Sequence, residues 1–179
     1  QVLGELPLFG ADEQQQIVQG WNPRHAQYPD HRAIHHLIEA QVQRAPNAPA
    51  LAFGELTMSY GELNRRANRL AHKLRELGVG PDVLVGIAME RGLEMVIGLL
   101  GILKAGGAYV PLDPGYPSER LAYLFEDSGI ELLLTQAHLA DALPVPVGVQ
   151  CLDIVADPFA DYSDANPAIA LTPDNLAYV

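Results

Sequence analysis

The sequence predicts an α/β fold: a partial, mainly parallel sheet with helices on both of its faces, plus a short β-hairpin. Strand-like and helix-like segments alternate along most of the chain, the pattern of crossover units. The run Val83-Leu84-Val85-Gly86-Ile87-Ala88-Met89 has no polar alternation, as in a strand covered on both faces. Between such runs lie segments with apolar residues at helical spacing and recognisable caps.

Residues 1–30 differ from the rest of the chain. Leu3–Phe9 is irregular and apolar, and Ala11–Gln19 reads as a short helix with Asp12 and Glu13 in its favourable first turn. Gly20 ends it, and Trp21-Asn22-Pro23 opens a stretch without period. This segment is expected to be a linker lying on a surface through Leu6, Leu8, Ile17 and Trp21. A helix over Arg32–Arg44 comes next, its apolar stripe formed by Leu37, Ile38 and Val42, and Ala45-Pro46-Asn47 stops it. Ala50–Phe53 and Leu56–Ser59 form two strands of a hairpin, and Gly54 at the first turn position fits a type II′ turn.

The next helix has the clearest boundaries. Ser59 and Glu62 have the spacing of a capping box, and Leu63, Ala67, Leu70, Ala71, Leu74 and Leu77 define one buried face. Gly78 is placed as its left-handed cap. After the Val83–Met89 strand, Leu93–Lys104 is a helix apolar nearly all round, with Gly98 and Gly101 allowing a neighbour to approach closely. Ala108–Leu112 is a strand and Asp113–Pro117 a turn. Pro117 suits a first helical position, Leu121, Leu124 and Phe125 face inward, and Gly129 caps. Ile130–Thr135 is a strand, Gln136–Leu143 a short helix, Val149–Ile154 a strand, and Ala156–Pro173 a long acidic loop. Gln1 is no initiator Met, and the chain stops within the strand-like Leu176-Ala177-Tyr178-Val179. A severed piece of a longer chain is therefore expected.

Composition narrows the function. Apolar residues make up 49% of the 179, enough for a core. Eleven basic against 22 acidic residues leave a net charge of −11, which argues against nucleic-acid or anionic-membrane partners. No apolar run reaches the roughly 20 residues of a membrane span. One cysteine, Cys151, excludes an intramolecular disulfide framework and fits a reducing, cytoplasmic setting.

The chemistry-bearing residues assemble into no recognisable active site. His25, His31, His35 and His36 with Asp30 come from one local stretch, whereas zinc needs ligands converging from defined elements. Asp153, Asp157, Asp161 and Asp164 lack the alternate spacing and terminal Glu of a calcium loop and read as a solvated loop. Neither lysine, Lys73 nor Lys104, has the Gly-rich context and following hydroxyl of a phosphate-binding loop. The serines lack a nucleophile elbow, and Cys151 reads as a small packed strand residue. No catalytic, cofactor-binding or metal-binding residue is therefore assigned.

Two segments carry a family resemblance. Leu56-Thr57-Met58-Ser59-Tyr60-Gly61-Glu62-Leu63 and Leu103-Lys104-Ala105-Gly106-Gly107-Ala108-Tyr109-Val110-Pro111-Leu112-Asp113-Pro114 are similar, in text and separation, to the first two core motifs of adenylation domains of nonribosomal peptide synthetases. These belong to the adenylate-forming superfamily. Tyr116–Leu121 and Asp127-Ser128-Gly129 continue the likeness, and Leu6-Pro7-Leu8 through Trp21-Asn22 resembles the linker from an upstream condensation domain. The resemblance implies that 1–30 is that linker and 31–179 the first part of the large N-terminal subdomain. It also implies that the Ser/Thr/Gly-rich phosphate loop follows Val179. The intact parent would use ATP and Mg²⁺ to join an amino acid to AMP, then load the phosphopantetheine of a downstream carrier domain. This stretch alone would be structural and inactive. An interdomain docking platform and an acyl-CoA synthetase-like ligase are the alternatives; the condensation-type linker argues against the latter.

Overall fold

The computed structural model describes residues 10–21, 32–155 and 158–179. The chain divides into two compact units, 1–30 and 31–179. In the first, a single turn and a half of α-helix, α1 (Ala11–Gln15), runs into a π-helical turn over Gln16–Gly20, which closes with the Trp21 N–H donating to the Gln16 carbonyl at 2.9 Å. The expected uniform helix over Ala11–Gln19 is thus α-helical for its first half only. Leu6, Leu8 and residues 22–31 lie outside the described residues.

The second unit holds α2 (Ile34–Arg44), the antiparallel hairpin β1 (Pro49–Phe53) and β2 (Leu56–Ser59), then α3 (Tyr60–Glu76), β3 (Leu84–Ile87), α4 (Leu93–Ala105), β4 (Ala108–Pro111), α5 (Ser118–Ser128), β5 (Leu132–Thr135), α6 (Ala137–Ala140) and β6 (Gln150–Asp153). The strands β4-β3-β5-β6 form one sheet in that order, parallel throughout. Gly54 sits at φ +58 while Glu55 keeps a negative φ, which fits the expected II′ turn.

Alternate residues of the sheet feed two cores. Val85, Ile87, Leu132 and Leu134 pack with the buried faces of α3 and α4, including Leu63, Ala67, Leu70 and Leu74. Val110, Leu112 and Leu133 face the other way, onto Leu121 and Phe125 of α5. Both faces being covered is why these strands could dispense with polar residues. Gly101 lets α3 and α4 meet: a Cβ there would lie 2.6 Å from a Leu70 methyl.

Several ends shift. The Ser59 hydroxyl accepts from the Glu62 N–H at 3.3 Å, but the Glu62 carboxylate turns instead to Arg65 and Arg66. Only the forward arm of the capping box therefore forms. Gly78 does cap α3, at φ +93, with its N–H on the Arg75 carbonyl and that of Val79 on Leu74. Pro117 sits one place earlier than expected, as the residue before the helix. Its ψ of 141 is extended, and its carbonyl accepts from Arg120 and Leu121. In α2 the expected stripe is rotated: Leu37 is exposed, and His35 is buried in its place. Cys151 is exposed rather than packed, because β6 is an edge strand.

Candidate functional site

The carboxyl ends of β3 and β4 and the start of α6 surround a cavity of about 780 Å³. This is the sheet edge where parallel α/β folds place ligands, because the chain leaves β3 and β5 towards opposite faces. Backbone pairing keeps the strands together up to their ends: Ala88 donates to Leu134 and Leu112 donates to Ile87, both at 2.9 Å. The loop after β3 is pinned to the one after β5 by the Glu90 N–H, which donates to the Gln136 side-chain oxygen at 2.9 Å. Met89, Met95, Leu99 and Leu112 give the cavity an apolar lining, and Glu90, Arg91 and Asp113 add charge. The Asp113 carboxylate is held by its own turn, accepting from the Gly115 N–H at 2.9 Å. Glu90 lies 3.6 Å from His138, which pairs with it when protonated. An apolar cleft with a few polar groups is suited to holding a ligand.

A second polar assembly lies between the helices, and sequence reasoning missed it. Lys104, on the last turn of α4, has a side chain wholly removed from solvent and forms an ion pair with Glu39 of α2. Its ammonium also donates to the Asn166 side-chain oxygen at 3.2 Å. That oxygen accepts as well from Asn64 at 3.0 Å and from the buried Asn68 at 2.9 Å. Burial pulls the Lys104 pKa below the usual lysine value, with Glu39 opposing the shift. His35 joins the same group: burial and the neighbouring His36, whose ring centroid is 4.1 Å away, lower its pKa from 6.5 to about 4.

Residues 158–176 consequently form a strap, where a solvated loop was expected. Beyond Asn166, Tyr162 donates to Glu76, His72 meets the Ala165 carbonyl at 3.0 Å, Asn68 donates to the Asp164 carbonyl and Arg75 to that of Ala168. All of these α3 residues lie on one stripe, and the polar series Asn64, Asn68, His72, Arg75 at helical spacing was the available signal. Asp157 lies outside the described residues, and the Asp153 carboxylate accepts from the Val155 N–H.

The other screened candidates stay apart. Among the described residues no three His, Cys, Asp or Glu side chains converge as a metal site; His25, Asp30 and His31 lie outside them. Lys73 pairs with Glu76 at 3.3 Å and Lys104 is sealed, so both lysines of the chain are engaged away from the cavity. Neither lysine is therefore placed to grip a phosphate at this cavity.

Comparison with known proteins decides the family. The family model described as AMP-binding enzyme matches residues 38–179. The chain belongs to the AMP-binding enzyme family. One of the linear gramicidin synthase proteins of Brevibacillus parabrevis is 51% identical over 175 residues, covering 97% of this chain and 3% of that protein. Tyrocidine synthase 3 of the same organism is 51% identical over 182 residues, covering 99% and 3%. Among solved structures, the AMPPNP-bound nonribosomal peptide synthetase FmoA3 superposes with a TM-score of 0.82 at 35% identity, over 98% of this chain and 20% of that one. The N-terminal subdomain of Klebsiella oxytoca NpsA, at 22% identity and TM-score 0.73 over 86% of this chain and 39% of that one, shares the fold. Within the AMP-binding family, then, this chain is part of an adenylation domain of the nonribosomal peptide synthetase type, as its two motifs implied. It spans about 3% of the curated relatives it matches. Among the described residues no helix is long and apolar enough to cross a membrane.

Proposed function

We propose that the parent protein activates an amino acid as its aminoacyl-AMP, using ATP and Mg²⁺, and passes it to the phosphopantetheine of a neighbouring carrier domain in the cytoplasm. The observation that carries this reading is the agreement along nearly the whole chain, in sequence and fold together, with nonribosomal peptide synthetases. In this reading residues 1–30 are the linker from an upstream condensation domain, and 31–179 are the N-terminal portion of the adenylation domain. The division into compact units at Asp30 and His31 supports that boundary, as does the family match starting at residue 38. The groups that grip the nucleotide phosphates come from outside these 179 residues. The engagement of Lys73 and Lys104 within the scaffold supports this. What this stretch contributes is the scaffold: a parallel sheet whose strand ends form one wall of a cleft.

Amino-acid-dependent exchange of pyrophosphate into ATP tests the reading. The parent synthetase is expected to catalyse it, and the 179-residue chain alone to show none. Exchange by the chain alone would place the phosphate-binding groups within it. A parent that ignores every amino acid but forms CoA thioesters of fatty acids would replace this reading with an acyl-CoA ligase.

A further inference from the structure

Lys104 and the two glycines after it belong to the second family motif, yet none of them faces the cavity. Lys104 and Gly106 instead contact the strap. Gly106 ends α4 at φ +95, and a Cβ there would lie 2.3 Å from the Ile169 side chain. Gly106 is thus the seat over which the strap passes. Two residues back, Lys104 reaches Asn166, whose single side-chain oxygen collects donors from Asn64, Asn68 and Lys104. Beyond this seat the chain meets β4 at an isolated parallel bridge between Tyr109 and Tyr178, where the sequence predicted a strand over Leu176–Val179. The Tyr109 N–H donates to the Ala177 carbonyl and the Val179 N–H to that of Tyr109, each at 3.1 Å, and the rings of Tyr109 and Tyr178 stack at 5.7 Å. The segment leading to this bridge is also held from the side: Asp82, at the unusual φ of +63, accepts from the Leu176 N–H at 2.8 Å and from the Asn175 amide at 3.0 Å.

We infer that Lys104, acting through Asn166, is a positioning residue that fixes where the strap delivers the Tyr178 bridge to the open edge of β4. Lys104 and Asn68 are buried and Asn64 is partly buried, while Asn166 itself is exposed; the two buried donors would each lose an acceptor if the strap moved. A lysine paired only with Glu39 would tie α2 to α4; sharing its donors with Asn166 ties the strap, and hence the Tyr178 bridge, to both. The local device stands by itself. Its bearing on catalysis rests on the adenylation reading, in which the phosphate-binding segment follows this bridge.

Hydrogen exchange on the full chain, read by mass spectrometry on peptides, tests the coupling. Asn166→Ala is expected to speed exchange about tenfold in peptides covering 107–112 and 174–179, leaving 63–74 in the α3 interior unchanged. Asn166→Asp keeps the acceptor and is expected to stay within about twofold of the parent. The paired change Lys104→Met with Glu39→Leu removes both charges together, so folding is retained, and is expected to speed the same two peptides by about threefold. Tyr162→Phe, which loosens the strap away from the junction, is expected to leave 174–179 unchanged. Faster exchange confined to 162–168 would show that Asp82 alone sets the Tyr178 bridge and would overturn the inference. Equal acceleration of every peptide would overturn it too, reducing the cluster to general packing. These readouts are separate from pyrophosphate exchange, so the coupling and the adenylation reading fail independently.

Discussion

The two faces of the four-stranded sheet are built on different terms. On one, α5 covers the strands with Leu121 and Phe125 packed against Val110, Leu112 and Leu133, all apolar. On the other, α3 and α4 bury an equally apolar layer but bring with them Asn68 and Lys104, joined by His35 of α2, each with at most 3% of its surface exposed. The α5 face depends mainly on volume and shape, and among the described residues the buried Thr135 hydroxyl at the end of β5, on the same side as Leu133, has no hydrogen-bond partner. The α3–α4 face depends on partners: its buried cation needs Glu39, its amides need the strap, and its histidine must stay neutral. Apolar packing tolerates volume-conserving change, whereas a buried charge tolerates loss of its counter-ion badly.

The largest expected effect separates these two designs directly. Glu39→Ala leaves the Lys104 ammonium buried without its counter-ion and should lower stability by about 3–5 kcal/mol in denaturant unfolding. Lys104→Met together with Glu39→Leu should lose far less, within about 1 kcal/mol of the parent, because no charge is left behind. On the α5 face Phe125→Leu, a modest change of shape, should cost less than about 1.5 kcal/mol. If Glu39→Ala proves as mild as Phe125→Leu, the polar face is not held by its ion pair.

Acid should distinguish the faces next. The pKa of His35 is lowered to about 4 by burial and by His36, while Glu39 opposes and Lys104 adds to the shift. The unfolded chain binds the proton near pH 6.5, so between there and about pH 4 the unfolded state carries more protons than the folded one. Stability from a neutral His35 is therefore fully present above pH 6.5 and lost as the pH falls towards 4. Melting temperatures measured from pH 7.5 to pH 4 should fall more steeply for the parent than for His35→Gln. Parallel curves would mean that His35 takes up its proton without penalty.

How much of this was readable from the sequence differs by face as well. Leu63, Ala67, Leu70, Ala71 and Leu74 announced the buried side of α3, and Gly101 its close approach to α4, because a periodic apolar stripe is a local signal. The β-strands were legible for the same reason, to within a residue or two at each end. The strap was not, since Asp164, Ala165 and Ala168 bind through backbone carbonyls, which every residue possesses. His35 replaced Leu37 on the buried face of α2 because the Lys104–Glu39 pair offers a polar environment there, a non-local fact. Lys104 reads as no phosphate lysine, and its ion pair with a residue 65 positions away leaves no trace in its own segment. The cavity at the strand ends has the same character: its lining comes from strand ends, loops and the side of α4, whose convergence depends on the sheet being assembled.

The smallest effects belong to the start of α3, where capping and charge can be told apart. Ser59→Ala removes the acceptor for the Glu62 N–H, a bond of 3.3 Å, and should cost about 0.5–1 kcal/mol at any ionic strength. Glu62 is partly exposed, and its carboxylate is held below the usual range chiefly by the hydrogen bond from Arg66, at 2.8 Å. Glu62→Gln should therefore cost about 0.3–0.5 kcal/mol in dilute buffer, as one charge of a surface network beside a helix N-terminus. In about 1 M salt, where screening acts over roughly 3 Å, that loss should vanish while the Ser59→Ala loss persists. If both losses shrink equally with salt, the serine is acting through charge rather than as a cap. If neither shrinks, Glu62 works through its hydrogen-bond geometry, and the Arg65 and Arg66 charges add nothing.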